Sequence, residues 1–209
     1  MGKDQIASLV DSLLARPTGP RTLVALAGPP GVGKSTLVEQ LRDALNAQTP
    51  GVAQIVPMDG FHLDNAVLAE KGLMPRKGAP ETFDRAGLFH LLTRLRSDTE
   101  DDVFIPVFDR EMELSRAAGA SVPSTCRIVL VEGNYLLLDR PGWRDLHDLF
   151  DVKVLIRTDE LTLQHRLVRR WKGYGLTTEA ISAKVEGNDL PNARLVLNES
   201  VKADVELDN

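Results

Sequence analysis

The chain has 209 residues, of which 43 % are hydrophobic and 26 % are charged, and its formal net charge is −5. This length fits one domain with a sizeable core, and the composition is typical of a globular protein. The acidic balance argues against a broad surface for nucleic acid or for an anionic membrane, so we expect neither partner. Cys126 is the single cysteine, which excludes an intrachain disulfide and a cysteine-rich metal site and favours a cytoplasmic protein.

The first predicted element is a helix over residues 3–15, whose apolar residues share one face. Asp4 and Asp11 interrupt this stretch, so it predicts neither a signal peptide nor a membrane span. We expect the helix to dock on the domain that follows.

A glycine-rich motif over residues 28–36, GPPGVGKST, fits the pattern G-x-x-x-x-G-K-[ST]. It follows the apolar run 23–27 and precedes a segment with helical spacing, which is the strand–loop–helix context that this phosphate-binding loop, or P-loop, requires. A glycine-rich turn that binds nothing would have no need of a lysine and a serine at these offsets. The motif therefore predicts a nucleotide-binding site.

Each residue type in the P-loop has a physical role in binding the phosphates of a nucleotide. The glycines let backbone N–H groups converge on phosphate oxygens, and the helix that begins at Lys34 adds the positive end of its dipole. Lys34 is expected to reach the β- and γ-phosphates, and the Ser35 hydroxyl is expected to bind Mg²⁺. The residues predicted to hold the nucleotide are Gly28, Gly31, Val32, Gly33, Lys34, Ser35 and Thr36.

The remaining pattern predicts strands and helices in alternation, hence an α/β fold with a parallel sheet covered on both faces. Strands are expected at 53–56, 127–131, 152–156 and 200–207, and helices at 34–46, 85–95, 160–171 and 179–186, the last capped by Thr178. Residues 60–87 are predicted to be a long irregular insertion, and 103–108 a short edge segment. No repeat or linker divides the chain, so residues 1–209 are expected to form a single domain.

Two carboxylates follow predicted strands at the edge where parallel sheets bind ligands. Asp59 follows the second strand, and Glu132 follows the strand at 127–131. A kinase that acts on an alcohol needs one carboxylate to accept the hydroxyl proton and another near Mg²⁺. We assign Asp59 as the base and Glu132 as the metal-side residue. The alternative is that both are ordinary strand-end residues facing solvent.

Three arginines share one face of the helix that follows Asp159. Arg166, Arg169 and Arg170 are predicted to contact the nucleotide phosphates from a lid over residues 160–177, since arginines meet the charge that spreads over a transferring phosphoryl group. The alternative is that they form solvated ion pairs, for which Glu160 is close enough in sequence.

Three further segments carry a resemblance to a known family: MDGFH at 58–62, KGAPETFD at 77–84 and VEGNY at 131–135. In this order they resemble the superfamily of uridine kinase, pantothenate kinase and phosphoribulokinase. The nearest match is its bacterial branch of fructose transport system kinase-like and nucleoside kinase-like proteins. The resemblance covers about residues 20–206.

The resemblance implies a P-loop NTPase fold, a three-layer α/β/α sandwich with a five-stranded parallel sheet and a small helical lid. It also implies ATP- and Mg²⁺-dependent phosphoryl transfer to a small-molecule hydroxyl, with Asp59 at the position of the base. The run RLVRR at 166–170 matches the arginine-bearing lid of the family. A homodimer is left open, because the family forms several assemblies.

For the acceptor, the resemblance together with the strand-end position implies a substrate set of Asp59, Phe61, His62, Glu81, Phe83, Arg110 and Arg116. Glu81 stands where uridine kinases have an aspartate that holds sugar hydroxyls, and His62 stands where they have a tyrosine. Both departures change the expected pocket. For Arg110 and Arg116 the alternative is surface pairing with Glu111 or Glu113, and for His62 it is packing at the base of the loop.

The sequence thus favours a kinase for a small-molecule alcohol, such as the sugar fructose or a nucleoside. A pantothenate- or glycerate-type kinase is an alternative. A second class is a regulatory ATPase that works as a nucleotide switch through a protein partner, although no N-K-x-D segment marks a guanine reader. A family member that binds a metabolite without turning it over fits least well, because Lys34, Ser35, Asp59 and Glu132 are all present.

Overall fold

The computed structural model describes residues 3–16 and 19–209. The helices are α1 Lys3–Leu14, α2 Lys34–Gln48, α3 Asn65–Glu70, α4 Arg85–Ser97, α5 Glu160–Gly173, α6 Thr178–Lys184 and α7 Leu190–Glu199. The strands are β1 Thr22–Ala27, β2 Ala53–Pro57, β3 Asp102–Asp109, β4 Leu114–Pro123, β5 Ile128–Gly133, β6 Val152–Arg157 and β7 Val205–Asp208.

Five of the strands form one parallel sheet in the order β2-β5-β1-β6-β7. Successive side chains of β1 go to opposite faces, so Leu23 and Ala25 join one core while Val24 and Leu26 join the other. Helix α4 supplies leucines to the first core, and α1, α2 and α5 pack on the second. The predicted three-layer sandwich with a five-stranded parallel sheet is confirmed.

The N-terminal helix predicted over 3–15 is α1, which buries Leu9, Val10 and Leu13 against the second core. In the part of the chain that the structure describes, no helix combines the length and the apolar character needed to span a bilayer.

Strands β3 and β4 form a separate antiparallel hairpin. The pairing shifts between Ile105 and Val107, at Pro106, which has no N–H to give to the ladder. The prediction of an isolated edge segment at 103–108 was therefore incomplete. Strand β4 was missed because its sequence, LSRAAGASVP, is small and polar and lacks the alternation that marks a half-buried strand.

Other differences lie in the long insertion and near the C-terminus. The segment 60–87 is less irregular than predicted, since it contains α3 and short 3₁₀ turns. The cap of α6 is Thr177, whose hydroxyl accepts from the Ala180 N–H at 3.3 Å, and not Thr178. A π-helical turn, Val185–Asp189, continues α6 into α7, which was not predicted. The last strand is shorter than predicted, because Ser200 forms only an isolated bridge with Leu138.

A buried arginine joins the bottom of the sheet to the end of α4. Arg21, 1 % exposed, donates to the carbonyls of Cys126 at 3.2 Å and Pro123 at 3.1 Å. Its Nε also lies 3.1 Å from Oδ1 of Asp98, the residue that ends α4 in a left-handed conformation, with φ 52°. Arg127 donates to the other carboxylate oxygen of Asp98 at 2.7 Å. One carboxylate therefore balances two guanidinium groups.

We predict that Asp98→Asn lowers the free energy of unfolding by about 3 kcal/mol, because it leaves the buried Arg21 guanidinium without its counter-charge. Asparagine tolerates the left-handed backbone, so the effect reports charge rather than strain. Urea unfolding followed by circular dichroism measures it. The control is Glu100→Gln, which removes an exposed partner of Arg94 and is expected to leave the unfolding midpoint unchanged. Equal midpoints for both variants would contradict the structural role of this carboxylate.

Candidate active site

The carboxyl ends of three neighbouring strands bring the predicted site residues to one edge of the sheet. The P-loop follows β1, and Glu132 lies near the end of β5, which pairs with β1 on one side and β2 on the other. Pro57, the last residue of β2, pairs with Glu132, so the 3₁₀ turn Met58–Phe61 that carries Asp59 begins directly beside it. Glu132 is the only residue of β5 that is not fully buried. The expectation that Asp59 and Glu132 share an edge with the P-loop is met by this geometry.

The P-loop backbone adopts conformations that favour glycine. Gly31 has φ 81° and Gly33 has φ 91°, both in the left-handed region. A Cβ at Gly31 would lie 3.0 Å from Cγ of Leu167, because α5 packs directly on the loop. Val32 is buried beneath it, and its carbonyl accepts from Nη1 of Arg166 at 3.2 Å. The loop and α5 are therefore one packed unit.

Lys34 is held with little exposure between the P-loop and the end of β5. Its ammonium donates to the Pro29 carbonyl at 3.0 Å and to Oδ1 of Asn134 at 2.6 Å. Burial lowers the pKa of Lys34, and the negative charges of Glu132 and Asp59 oppose that shift. Burial raises the pKa of Glu132 to about 7, which the Lys34 cation opposes in turn. Burial thus favours the neutral form of each group, and a bound ligand of opposite charge would favour its charged form.

A cavity of about 610 Å³ opens over the P-loop, and we name it the P-loop cavity. Its walls come from the loop and α2, from the ends of β2 and β5, and from α5. It is lined by Pro30, Gly31, Gly33, Lys34, Ser35, Thr36, Leu37, Gln40, Asp59, Arg110, Glu132, Asn134, Arg166, Arg169, Arg170 and Asn209. Gly28 and Val32 were predicted to contact the nucleotide but lie beneath this surface, where a Cβ at Gly28 would lie 2.7 Å from the Ile156 carbonyl.

All three predicted arginines of α5 line the P-loop cavity. Glu160, the residue that was expected to compete for them, pairs instead with Arg194 of α7 at 2.6 Å. The arginines are therefore available to phosphate groups in the cavity, and the alternative of solvated pairing with Glu160 is not what the structure shows.

The chain around 58–62 and the segment 77–84, two of the three stretches that carry the family resemblance, lie side by side. The Leu63 N–H donates to the Thr82 carbonyl at 2.9 Å, and the Asp84 N–H donates to the Phe61 carbonyl at 2.8 Å. Gly60 allows the β3–β4 hairpin to approach, since a Cβ there would lie only 2.3 Å from the Pro106 carbonyl. This close packing builds a second cavity beside the first.

The second cavity has a volume of about 160 Å³, and we name it the aromatic cavity. It is lined by Pro30, Asp59, His62, Lys77, Gly78, Phe83, Phe108, Glu113, Asn134, Arg170, Trp171, Lys184, Asn188, Asp189 and Asn192. Pro30, Asp59, Asn134 and Arg170 line both cavities. The two spaces are therefore neighbours with a shared wall.

Four of the seven residues predicted to bind the acceptor line a cavity: Asp59, His62, Phe83 and Arg110. The other three lie apart. Phe61 packs against the core, Glu81 pairs with Arg76 at 3.3 Å, and Arg116 pairs with Asp109 at 3.3 Å. Neither Glu111 nor Glu113 holds Arg110 in the structure, because its Nη2 donates to Oδ2 of Asp59 at 3.2 Å.

Several lining residues were missed. Asn134 could have been found, because it follows Glu132 at the end of a predicted strand. The π-helical turn and α7 contribute Asn188, Asp189 and Asn192, for which the sequence carries no motif. Trp171 joins them by donating to Oδ2 of Asp189 at 2.6 Å. Their place in the cavity comes from tertiary packing.

Comparison of the whole chain with known proteins agrees with this geometry. Residues 23–205 match the model of the phosphoribulokinase / uridine kinase family. The chain belongs to this family. The chain is 36 % identical to a putative uridine kinase of Schizosaccharomyces pombe, and the match covers 90 % of the chain and 83 % of that relative. It is 39 % identical to protein YggC of Escherichia coli, over 88 % of the chain and 76 % of that relative.

A solved structure is also similar over nearly its whole length. The putative fructose transport system kinase of Silicibacter sp. TM1040 has 46 % identity and a TM-score of 0.90, covering 96 % of this chain and 98 % of that one. Family and fold together identify a P-loop kinase, a phosphotransferase that uses ATP and acts on a small molecule.

We predict that Lys34→Met weakens ATP binding by about 10- to 100-fold, because it removes a charge-assisted hydrogen bond to phosphate. Isothermal titration calorimetry measures the affinity. Lys71→Met, which removes an exposed lysine from the end of α3, is the matched control and is expected to bind ATP normally. If the two variants bind ATP with equal affinity, Lys34 does not bind the phosphates.

Proposed function

We propose that the chain transfers the γ-phosphoryl group of ATP, with Mg²⁺, to a hydroxyl of a small molecule. A sugar such as fructose and a nucleoside are the leading acceptors, and pantothenate- and glycerate-type acids are the alternatives. The names of the similar proteins, a putative uridine kinase and a putative fructose transport system kinase, support this choice.

One observation carries the proposal: Asp59 lines both the P-loop cavity and the aromatic cavity. A carboxylate at the shared wall lies between the site for the donor phosphates and the site for an acceptor. This is where a general base must be to accept a proton from an attacking hydroxyl. Arg170 lines the same wall and is suited to the charge that develops during transfer.

The proposed reaction moves one phosphoryl group and one proton. The acceptor oxygen forms a bond to the γ-phosphorus, its proton moves to the Asp59 carboxylate, and the bond from the γ-phosphorus to the β–γ bridging oxygen breaks. ADP leaves with the electrons of that bond. Lys34 would hold the phosphates, and Arg166, Arg169 and Arg170 would meet their charge. Closure of the α5 lid over the bound phosphates would exclude water, which otherwise competes as the acceptor.

The residues present fit a magnesium ion. Ser35 and Glu132 line the P-loop cavity and offer the hydroxyl and carboxylate oxygens that Mg²⁺ prefers. Ser35 would bind the ion directly and Glu132 through water, as the two metal-side groups. When bound, Mg²⁺ neutralises phosphate charge and favours the ionised form of Glu132.

Asp59→Asn is expected to lower kcat by about 10²- to 10⁴-fold, because the amide cannot accept the hydroxyl proton. ATP affinity is expected to stay near normal. Acceptor-dependent ADP formation, measured with a coupled assay, gives kcat. The control is Asp43→Asn, the same substitution at an exposed position of α2.

Unchanged turnover in Asp59→Asn would exclude Asp59 as the base. The wider proposal is tested with a panel of alcohols: ADP formation that responds to none of them, but responds to a protein partner, would contradict it and favour a regulatory ATPase.

Glu132→Gln is expected to raise the Mg²⁺ concentration needed for half-maximal activity by about 10- to 100-fold, the usual effect of losing a group that orders the metal's shell. A titration of activity against free Mg²⁺ at saturating ATP measures it. Glu70→Gln, at the exposed end of α3, serves as the control. If the variant needs the same Mg²⁺ concentration as the parent protein, Glu132 has no role in binding the metal.

A further inference from the structure

Arg110 is placed by a short loop whose shape is fixed by its neighbours. It is the first residue of the loop 110–113, which joins β3 to β4. The Asp109 carboxylate closes the turn, since it accepts from the N–H groups of the two residues after Arg110 at 3.1 and 3.0 Å. The Lys77 ammonium holds the far end of the loop by donating to the Glu113 carbonyl at 2.9 Å. The backbone at Arg110 is therefore anchored on both sides.

The Arg110 side chain approaches the proposed base from the side of the nucleotide. Its Nη2 donates to Oδ2 of Asp59 at 3.2 Å. Among the described residues, Arg110 lines the P-loop cavity without lining the aromatic cavity, whereas Asp59 lines both. An arginine that served the acceptor would be expected to line the aromatic cavity. The position of Arg110 therefore favours a role toward the nucleotide and not toward the acceptor, to which the sequence resemblance assigned it.

The ion pair with Asp59 leaves most of the Arg110 guanidinium unused. A guanidinium has five N–H donors, and among the hydrogen bonds of residues 3–16 and 19–209 the bond to Asp59 is the one that this side chain makes. The Arg110 side chain is 51 % exposed and that of Asp59 31 %, so solvent weakens the pair and it adds little to folding stability. The remaining N–H groups are available to a ligand in the P-loop cavity.

The charges of the P-loop cavity indicate which part of a triphosphate lies beside Arg110. Five cations and two carboxylates line the cavity: Lys34, Arg110, Arg166, Arg169 and Arg170 against Asp59 and Glu132. Four of these cations come from α2 and α5, so Arg110 faces them from the opposite wall. Burial lowers the pKa of Lys34, and the charges of Arg170 and Arg110 add to that shift. Arg110 thus lies near both Lys34 and Asp59, where the γ-phosphate must be for transfer to an acceptor.

We propose that Arg110 is a catalytic residue, whose guanidinium keeps one N–H on Asp59 and donates others to the transferring γ-phosphoryl group. The proposal rests on the proposed kinase function and extends it by one residue. The acceptor oxygen still bonds to the γ-phosphorus, its proton still moves to Asp59, and ADP still leaves. Because the guanidinium is planar and rigid, Arg110 stabilises the developing charge and also aligns the base with the phosphorus.

The first experiment compares two nucleotides that differ at the γ-phosphate, without any acceptor. Isothermal titration calorimetry measures the affinities of Mg²⁺–ADP and of the Mg²⁺ complex of the β,γ-imido analogue of ATP. We expect Arg110→Met to weaken the ATP analogue by about tenfold or more, because a charge-assisted hydrogen bond is lost, and to leave ADP affinity unchanged. The control is Arg94→Met, which removes an arginine of similar exposure, 48 %, paired with Glu100 outside both cavities.

Two results of this comparison overturn the proposal. If Arg110→Met binds both nucleotides as the parent protein does, Arg110 does not contact the γ-phosphate. If both affinities fall equally, Arg110 supports the site as a whole and does not act on the transferred group. The comparison needs no acceptor, so its outcome is distinct from failure of the kinase proposal, which shows as ADP formation that no alcohol stimulates.

The second experiment separates catalysis from acceptor binding, with the best acceptor of the alcohol panel. Arg110→Met is expected to lower kcat by about 100-fold or more and to leave the acceptor KM within about twofold, because the lost donor acts on the transferring group. A raised acceptor KM with unchanged kcat would assign Arg110 to the acceptor and overturn the proposal, while the kinase function would stand.

A conservative variant tests the alignment of the base. Arg110→Lys keeps the positive charge, but one ammonium cannot span a carboxylate and a phosphoryl group as a planar guanidinium does. We therefore expect Arg110→Lys to recover affinity for the ATP analogue while kcat stays about tenfold or more below the parent value. Full recovery of kcat would show that charge alone is enough and would contradict the proposed alignment.

Discussion

The site depends on the burial of one ammonium group. Lys34 is kept in a place where its charge is poorly solvated, so its position must be fixed by neighbours that accept its hydrogen bonds. Pro29 comes from the P-loop and Asn134 from the end of β5, and the Lys34 ammonium joins them. The same requirement keeps Glu132 close. The constraint therefore sets the distance between the loop after β1 and the end of its neighbouring strand.

Three further elements build the proposed acceptor site beside the buried Lys34. The turn that carries Asp59 follows β2, and the hairpin approaches that turn across Gly60, whose missing side chain leaves room for the Pro106 backbone. The π-helical turn closes the opposite wall, with Asp189 bonded to Trp171 of α5. The turn and the hairpin meet where Arg110 donates to Asp59 at 3.2 Å, and Asp59 lines both cavities.

The sequence predicted those features that are encoded locally. The P-loop is one continuous motif, and Asp59 and Glu132 each end a strongly apolar strand, so topology alone placed them together. The direction of a side chain within an irregular segment is not encoded in this way, so Glu81 was expected in the pocket yet pairs with Arg76 at the surface. Strand β4 was missed because its position depends on its pairing partner rather than on a periodic pattern, whereas helix α7 was missed although its buried Leu190, Ala193 and Val196 recur every three residues.

The two tryptophans of the chain lie in contrasting environments. Trp143 is 1 % exposed within the core beside Tyr135, whereas Trp171 lines the aromatic cavity and donates to Asp189. Trp143 is separated from the cavity by Phe83, so its emission should respond less to a ligand than that of Trp171, which lines the cavity itself. The intrinsic tryptophan fluorescence of the protein can therefore be used to follow ligand binding without an added label.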